Sequence, residues 1–90
     1  MRGRALIEFG PPLDVRDTAE LAGGSIPGNR PIPLAALNAS LEALDPDRPV
    51  VVYCASGYRS SIAASVLSAG GFGDVSDLLG GYGAWAAANP

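Results

Sequence analysis

One cysteine, Cys54, ends the apolar run Val50 to Tyr53 and opens the stretch Cys54-Ala-Ser-Gly-Tyr-Arg59. A thiol in that place has the makings of a nucleophile. The loop Ala55, Ser56, Gly57, Tyr58 is rich in small residues and runs straight toward a helix, so its backbone N–H groups can turn inward as an anion-binding nest. Gly57 supplies the backbone freedom such a turn needs. Those amides, the helix N-terminus and the cation of Arg59 all favour thiolate over thiol. The chemistry open to such a thiolate is nucleophilic, activated without an imidazole; the alternative for a lone cysteine is a buried structural thiol.

Elements that could position the thiol follow from the pattern of the chain. Pro49 to Tyr53 lacks polar alternation, as expected of a central strand covered on both faces. In an open parallel sheet, ligands gather outside the carboxyl ends of the strands, where Cys54 falls. The segment 60–71 follows as a helix, with Ser60 and Ser61 as candidate caps and a double glycine at its end. Upstream, 5–9 reads as a weak strand, and Pro11-Pro12 separates it from a short strand at Leu13, Asp14 and Val15. A helix of barely two turns starts at Asp17 or Thr18, carries Glu20 in its first turn and stops at Gly23-Gly24. Residues 25–34 hold three prolines and a glycine and predict an ordered surface loop without regular structure.

From Leu34, the spacing Leu34, Leu37, Leu41, Leu44 is helical until Asp45-Pro46. The last third repeats the alternation, with a strand from Val75 to Leu79 and an Ala-rich helix from Tyr82 to Asn89 around Trp85. Strand and helix alternate throughout, which predicts an α/β fold with a mainly parallel sheet.

Composition narrows the function. At 90 residues the chain is expected to form one domain. It contains no histidine, which removes a Cys–His dyad, a Ser–His–Asp triad and a His-ligated metal site. A lone cysteine makes no internal disulfide and fits a reducing, cytoplasmic setting. All six basic residues are arginine against nine acidic ones, a net charge of −3. No basic stretch could follow a phosphate backbone, so nucleic acid is not an expected partner. The apolar part of residues 1–10 falls short of a signal h-region, and no segment approaches a membrane span.

Cys54 to Arg59 resembles the C-x-x-G-x-R active-site loop of rhodanese-homology sulfurtransferases. Residues 13–34, LDVRDTAELAGGSIPGNRPIPL, are similar to that family's D-V-R…E…G-H-I-P-G-A…I-P segment. Residues 78–90, LLGGYGAWAAANP, are similar to its closing G-G-x-x-A-W…P segment. The resemblance implies a three-layer rhodanese-like fold, with a central sheet flanked by helices. It also implies that Cys54 takes a sulfane sulfur from thiosulfate or a low-molecular-weight persulfide, holds it as a persulfide and passes it to cyanide or a thiol. No cofactor is implied.

Arg59 is expected to bind the donor's anionic end, because a planar fork of donors suits oxyanions, or else to cap its surroundings or pair with an acidic neighbour; Ala55, Ser56, Gly57, Tyr58 and Ser60 are expected around the transferred sulfur. Asp14, Arg16 and Glu20 support the loop: Asp14 fixes loop hydrogen bonds, and Arg16, four residues before Glu20, is expected to pair with it. Gly80, Gly81 and Trp85 read as turn and core elements. Ser25 stands where the family often has His, and Asn29 where it often has Ala. The segment 1–12 is shorter than the family's usual start, which suggests a minimal single-domain protein or a module of a longer chain, such as a fusion with a metallo-hydrolase-like persulfide dioxygenase.

Three other functions share these motifs. A sulfur-relay domain would exchange persulfide with a protein donor or acceptor through the same thiol. A phosphatase or arsenate reductase on this fold carries a C-x5-R loop, whereas four residues separate Cys54 from Arg59, a cradle sized for a smaller group. A catalytically idle binding module would lack the cysteine that is present here.

Overall fold

The computed structural model describes residues 11–89. The strand expected at 5–9 lies outside them.

Among the described residues, four parallel strands form the sheet: β1 (Leu13–Asp14), β2 (Arg30–Pro31), β3 (Val50–Tyr53) and β4 (Val75–Asp77), in the order β2-β1-β3-β4. Leu13 pairs with Val52, and Val52 with Asp77, so β3 is central and ends level with its neighbours. Three helices connect or follow them: α1 (Leu34–Ser40), α2 (Tyr58–Ala69) and α3 (Gly81–Ala88). Short 3-10 turns occupy Thr18–Gly23 and Leu41–Ala43.

The unbroken apolar character of β3 has the anticipated cause. Val51, Val52 and Tyr53 are all fully buried, and alternate residues face opposite sides of a strand. Val52 and Cys54 join a cluster with Leu13, Val15, Leu37, Ala63, Leu67 and Phe72, so α1 and α2 cover this face. Leu34, Leu41 and Leu44 pack half-buried against that cluster. The chain tightens into the 3-10 turn after Ser40 and leaves helical geometry at Leu44, before Asp45-Pro46.

Residues 25–34 contain more regular structure than expected. Arg30 N–H donates to the Pro12 carbonyl at 2.8 Å and Ile32 N–H to that of Asp14 at 2.9 Å, which makes β2 a two-residue edge strand. Proline is compatible with an edge, where its missing N–H costs no ladder bond. Trp85 also differs from expectation. It is half-buried and stacks on Tyr82, with ring centroids 5.9 Å apart.

Candidate active site

β3 delivers Cys54 to the carboxyl end of the sheet, beneath the turn that starts α2. Gly57 precedes that helix with φ at 127°, a conformation open to glycine and strained for other residues. This kink aims two amides at one atom. Gly57 N–H lies 3.1 Å and Ser60 N–H 3.3 Å from Cys54 Sγ. Burial of the thiol pushes its pKa up. Polar contacts from the Ser60 side chain and from the N–H groups of Ser60, Gly57 and Ser56 outweigh that and bring it below the ordinary thiol value.

Ser60 and Ser61 do not cap α2 in the expected way. The capping position belongs to Gly57, and Ser60 sits one turn in, fully buried. Its Oγ lies 3.5 Å from Cys54 Sγ, 3.2 Å from the Gly57 carbonyl and 2.6 Å from Asp77 Oδ1. Ser61 donates to the Tyr58 carbonyl at 2.7 Å. Within the loop, Ala55 is half-buried, Ser56 is exposed and Tyr58 is 77% exposed.

The supporting residues pair differently from the i, i+4 expectation. Arg16 does not pair with Glu20. It lies before Asp17, the cap of the 3-10 turn, so no shared helical face brings the two side chains together. Arg16 turns back to Asp14, with Nε 3.0 Å from Oδ1 and Nη2 2.8 Å from Oδ2, both residues being buried. Its Nη2 also donates to the Gly24 carbonyl at 2.8 Å, and its guanidinium stands 4.5 Å from the centre of the Tyr82 ring. Burial alone would raise the Asp14 pKa, but hydrogen bonds from Arg16 hold it below the usual carboxylate range. Asp14 is thus a buried carboxylate tied to Arg16, whose N–H it also accepts at 3.0 Å.

Glu20 reaches Arg59 instead. Arg59 Nη1 and Nη2 lie 2.5 and 2.9 Å from the two Glu20 oxygens. Glu20 Oε1 also accepts the Asp17 N–H at 3.0 Å, which fixes the carboxylate at the start of its turn. The Arg59 pKa is raised, chiefly by Glu20 and after that, burial apart, by the charges of Glu20 and Cys54.

α3 anchors the loop from outside. Tyr82 N–H donates to the Cys54 carbonyl at 2.7 Å and Gly83 N–H to the Ala55 carbonyl at 3.1 Å. A Cβ on Gly81 would overlap the Cys54 carbonyl and the Ala55 backbone. Gly81 is therefore a close-approach residue for the cysteine loop. Ser25 and Asn29, the two departures from the family pattern, are bonded to one another, Asn29 Nδ2 donating to Ser25 Oγ at 2.9 Å. Sequence reasoning missed Asp77; β4 was legible as a strand, but its register beside Cys54 was not.

A parallel α/β sheet with a cysteine cradled by amides at the end of its central strand defines a thiol-centred α/β domain. The chain belongs to the rhodanese-like domain family, whose family model matches residues 4–88. It is 40% identical over 74 residues to a protein named sulfurtransferase from Allochromatium vinosum, covering 82% of this chain and 69% of that one. It is 37% identical over 73 residues to the thiosulfate sulfurtransferase GlpE of Stutzerimonas stutzeri, covering 81% and 67%. The crystal structure of a rhodanese-related protein from Thermoplasma volcanium superimposes with a TM-score of 0.84 at 35% identity, covering 92% of this chain and 82% of that one. The expected rhodanese-like fold is the one observed.

Proposed function

We propose that this protein is a sulfurtransferase that moves a sulfane sulfur through a persulfide on Cys54. The observation that carries this reading is the pair of amides on Sγ, at 3.1 and 3.3 Å, inside a loop only four residues long between Cys54 and Arg59. Cys54 thiolate attacks the sulfane sulfur of thiosulfate, a new S–S bond forms, and sulfite leaves with the electron pair of the broken bond. Cyanide or a thiol then attacks the outer sulfur, and the Cys54 thiolate is released. Both half-reactions place negative charge in the cradle lined by Ala55, Ser56, Gly57 and Tyr58, where fixed amides stabilise it without reorganisation.

Arg59 suits the anionic end of the donor. Glu20 engages two of the five N–H donors of its guanidinium, so three remain for an oxyanion. Glu20 thereby orients Arg59 at the loop's entrance. A relay to a protein acceptor is favoured by one feature. Tyr58, Ile62 and Leu79, on the segments flanking the loop, are 77%, 40% and 89% exposed, a lining suited to another protein's surface.

The test is incubation with thiosulfate followed by intact mass. One added sulfur, removable by cyanide or dithiothreitol and absent from Cys54→Ser, is the expected result. An unmodified wild-type mass would exclude the persulfide, and robust hydrolysis of an aryl phosphate would favour the phosphatase reading.

A further inference from the structure

Ser60 has one hydroxyl hydrogen and three neighbours that compete for it. Asp77 Oδ1 is nearest at 2.6 Å, then the Gly57 carbonyl at 3.2 Å and Cys54 Sγ at 3.5 Å. A separation of 2.6 Å is that of an O–H donating to an ionised carboxylate, about twice as strong as a neutral bond. The Ser60 hydroxyl therefore donates its hydrogen to Asp77. Ser60 is fully buried, so no bulk water supplies a second donor to the sulfur from that side. Cys54 then faces the lone pairs of Ser60 Oγ and can bond to it only by donating its own S–H.

We propose that Asp77 is a positioning residue: by holding the Ser60 hydroxyl turned away from Cys54, it makes Ser60 an acceptor for the thiol proton and opposes the ionisation that the loop amides promote. The hydroxyl's share in lowering the thiol pKa is available only when its hydrogen swings from Asp77 to sulfur; the amides keep theirs in either state. Cys54 is thus set between two opposed influences, one fixed in the backbone and one switchable through a single O–H.

Asp77 ends β4, directly across from Val52 of β3, and its carboxylate accepts from Ser60 of α2. The remaining titratable groups on the elements around the loop are Tyr53 at the end of β3, Tyr58 on α2 and Tyr82 on α3. With them stand the Asp14–Arg16 and Glu20–Arg59 pairs and Asp17 beside the latter. These pairs are internally neutral, and among the described residues Asp77 is the carboxylate that accepts from Ser60 Oγ, so that its charge and its hydrogen bond bear on the thiol together.

The test reads the thiol itself and stands whether or not the protein transfers sulfur. Iodoacetamide alkylation is followed against pH for wild type, Asp77→Asn, Ser60→Ala and the double variant, with melting curves for each. Asp77→Asn should lower the thiol pKa and raise the alkylation rate at acidic pH roughly three- to tenfold, the size of one net hydrogen bond. In the Ser60→Ala background the same substitution should lose most of that effect, because the hydroxyl through which it acts is gone. Ser60→Ala alone should leave the thiol pKa unchanged or lower it. A raised pKa in Ser60→Ala would show the hydroxyl donating to sulfur and overturn the proposal. An undiminished Asp77→Asn effect without Ser60 would reduce Asp77 to a distant charge, which also overturns it. Ser60→Ala decides the sign by itself if Asp77→Asn fails to fold.

Discussion

Arg59 and Glu20, thirty-nine positions apart, meet through two hydrogen bonds between a guanidinium and a carboxylate, each about a third exposed. The pair ties the first turn of α2 to the 3-10 turn after β1, across the mouth of the cysteine loop. It therefore joins the helix that follows the cysteine loop to the part of the fold where the buried Asp14–Arg16 pair lies.

Acid should dissolve this tie in a defined window. Hydrogen bonds from Arg59 first and from Asp17 N–H second hold the Glu20 carboxyl at about 2, against 4.5 ordinarily. A folded-state value below the unfolded one stabilises the fold fully above the higher value and loses that contribution as pH falls through the lower. The melting-temperature gap between wild type and Glu20→Gln should be constant above about pH 5 and close toward pH 2. A gap independent of pH would show that the carboxylate's charge plays no part.

Kinetics should separate Glu20 from Arg59. Arg59→Ala should raise the KM for thiosulfate, and Arg59→Lys should restore charge without the planar fork and recover it only in part. Glu20→Gln leaves the cation unopposed and should lower that KM while disordering the side chain enough to reduce kcat. An equal rise of KM in Glu20→Gln and Arg59→Ala would mean that orientation of Arg59 outweighs its charge.

Arg16→Ala should be the costliest of the charge substitutions. It strands a fully buried Asp14 and removes the donor to the Gly24 carbonyl, a loss on the order of 3 kcal/mol. Denaturant titration checks it. A loss of less than about 1 kcal/mol would place the pair among surface bridges.

Gly81→Ala should damage stability and sulfur transfer together. Gly81 has φ at 61° and no room for a Cβ against the Cys54 and Ala55 backbone, so the loop or α3 must move at a cost of about 1–3 kcal/mol. Full activity in a destabilised Gly81→Ala protein would show that the loop holds its shape without α3.

Much of the site was readable because it is local. A strand, a cysteine, a glycine turn and a helix follow one another within twenty residues, and the amide cradle is a property of that succession. The ion pairs were not readable, since i, i+4 spacing implies contact only on a continuous α-helix. Arg16 stands outside the turn that contains Glu20, and the turn itself is 3-10. Asp14 with Arg16 is a pairing two residues apart across a strand end, and Glu20 with Arg59 depends on how β1 and β3 are placed side by side. β2 escaped notice because two residues on an edge, one of them proline, carry no alternation to detect.

The bonds from α3 to the carbonyls of Cys54 and Ala55 couple the chemistry to the last helix of the fold. A peptide unit is rigid, so holding its carbonyl outward directs the N–H of the next residue the other way, toward the interior of the loop. If α3 unfastens locally while the rest of the domain stays folded, the Ala55 and Ser56 N–H groups lose that support, and the thiol loses the contact from Ser56 while those from Gly57 and Ser60 remain. Deuterium uptake at Tyr82 and Gly83 would then run parallel to the decline of thiol reactivity with temperature, below the global melting transition. The closing helix would then give reactivity a thermal limit of its own, below that of folding.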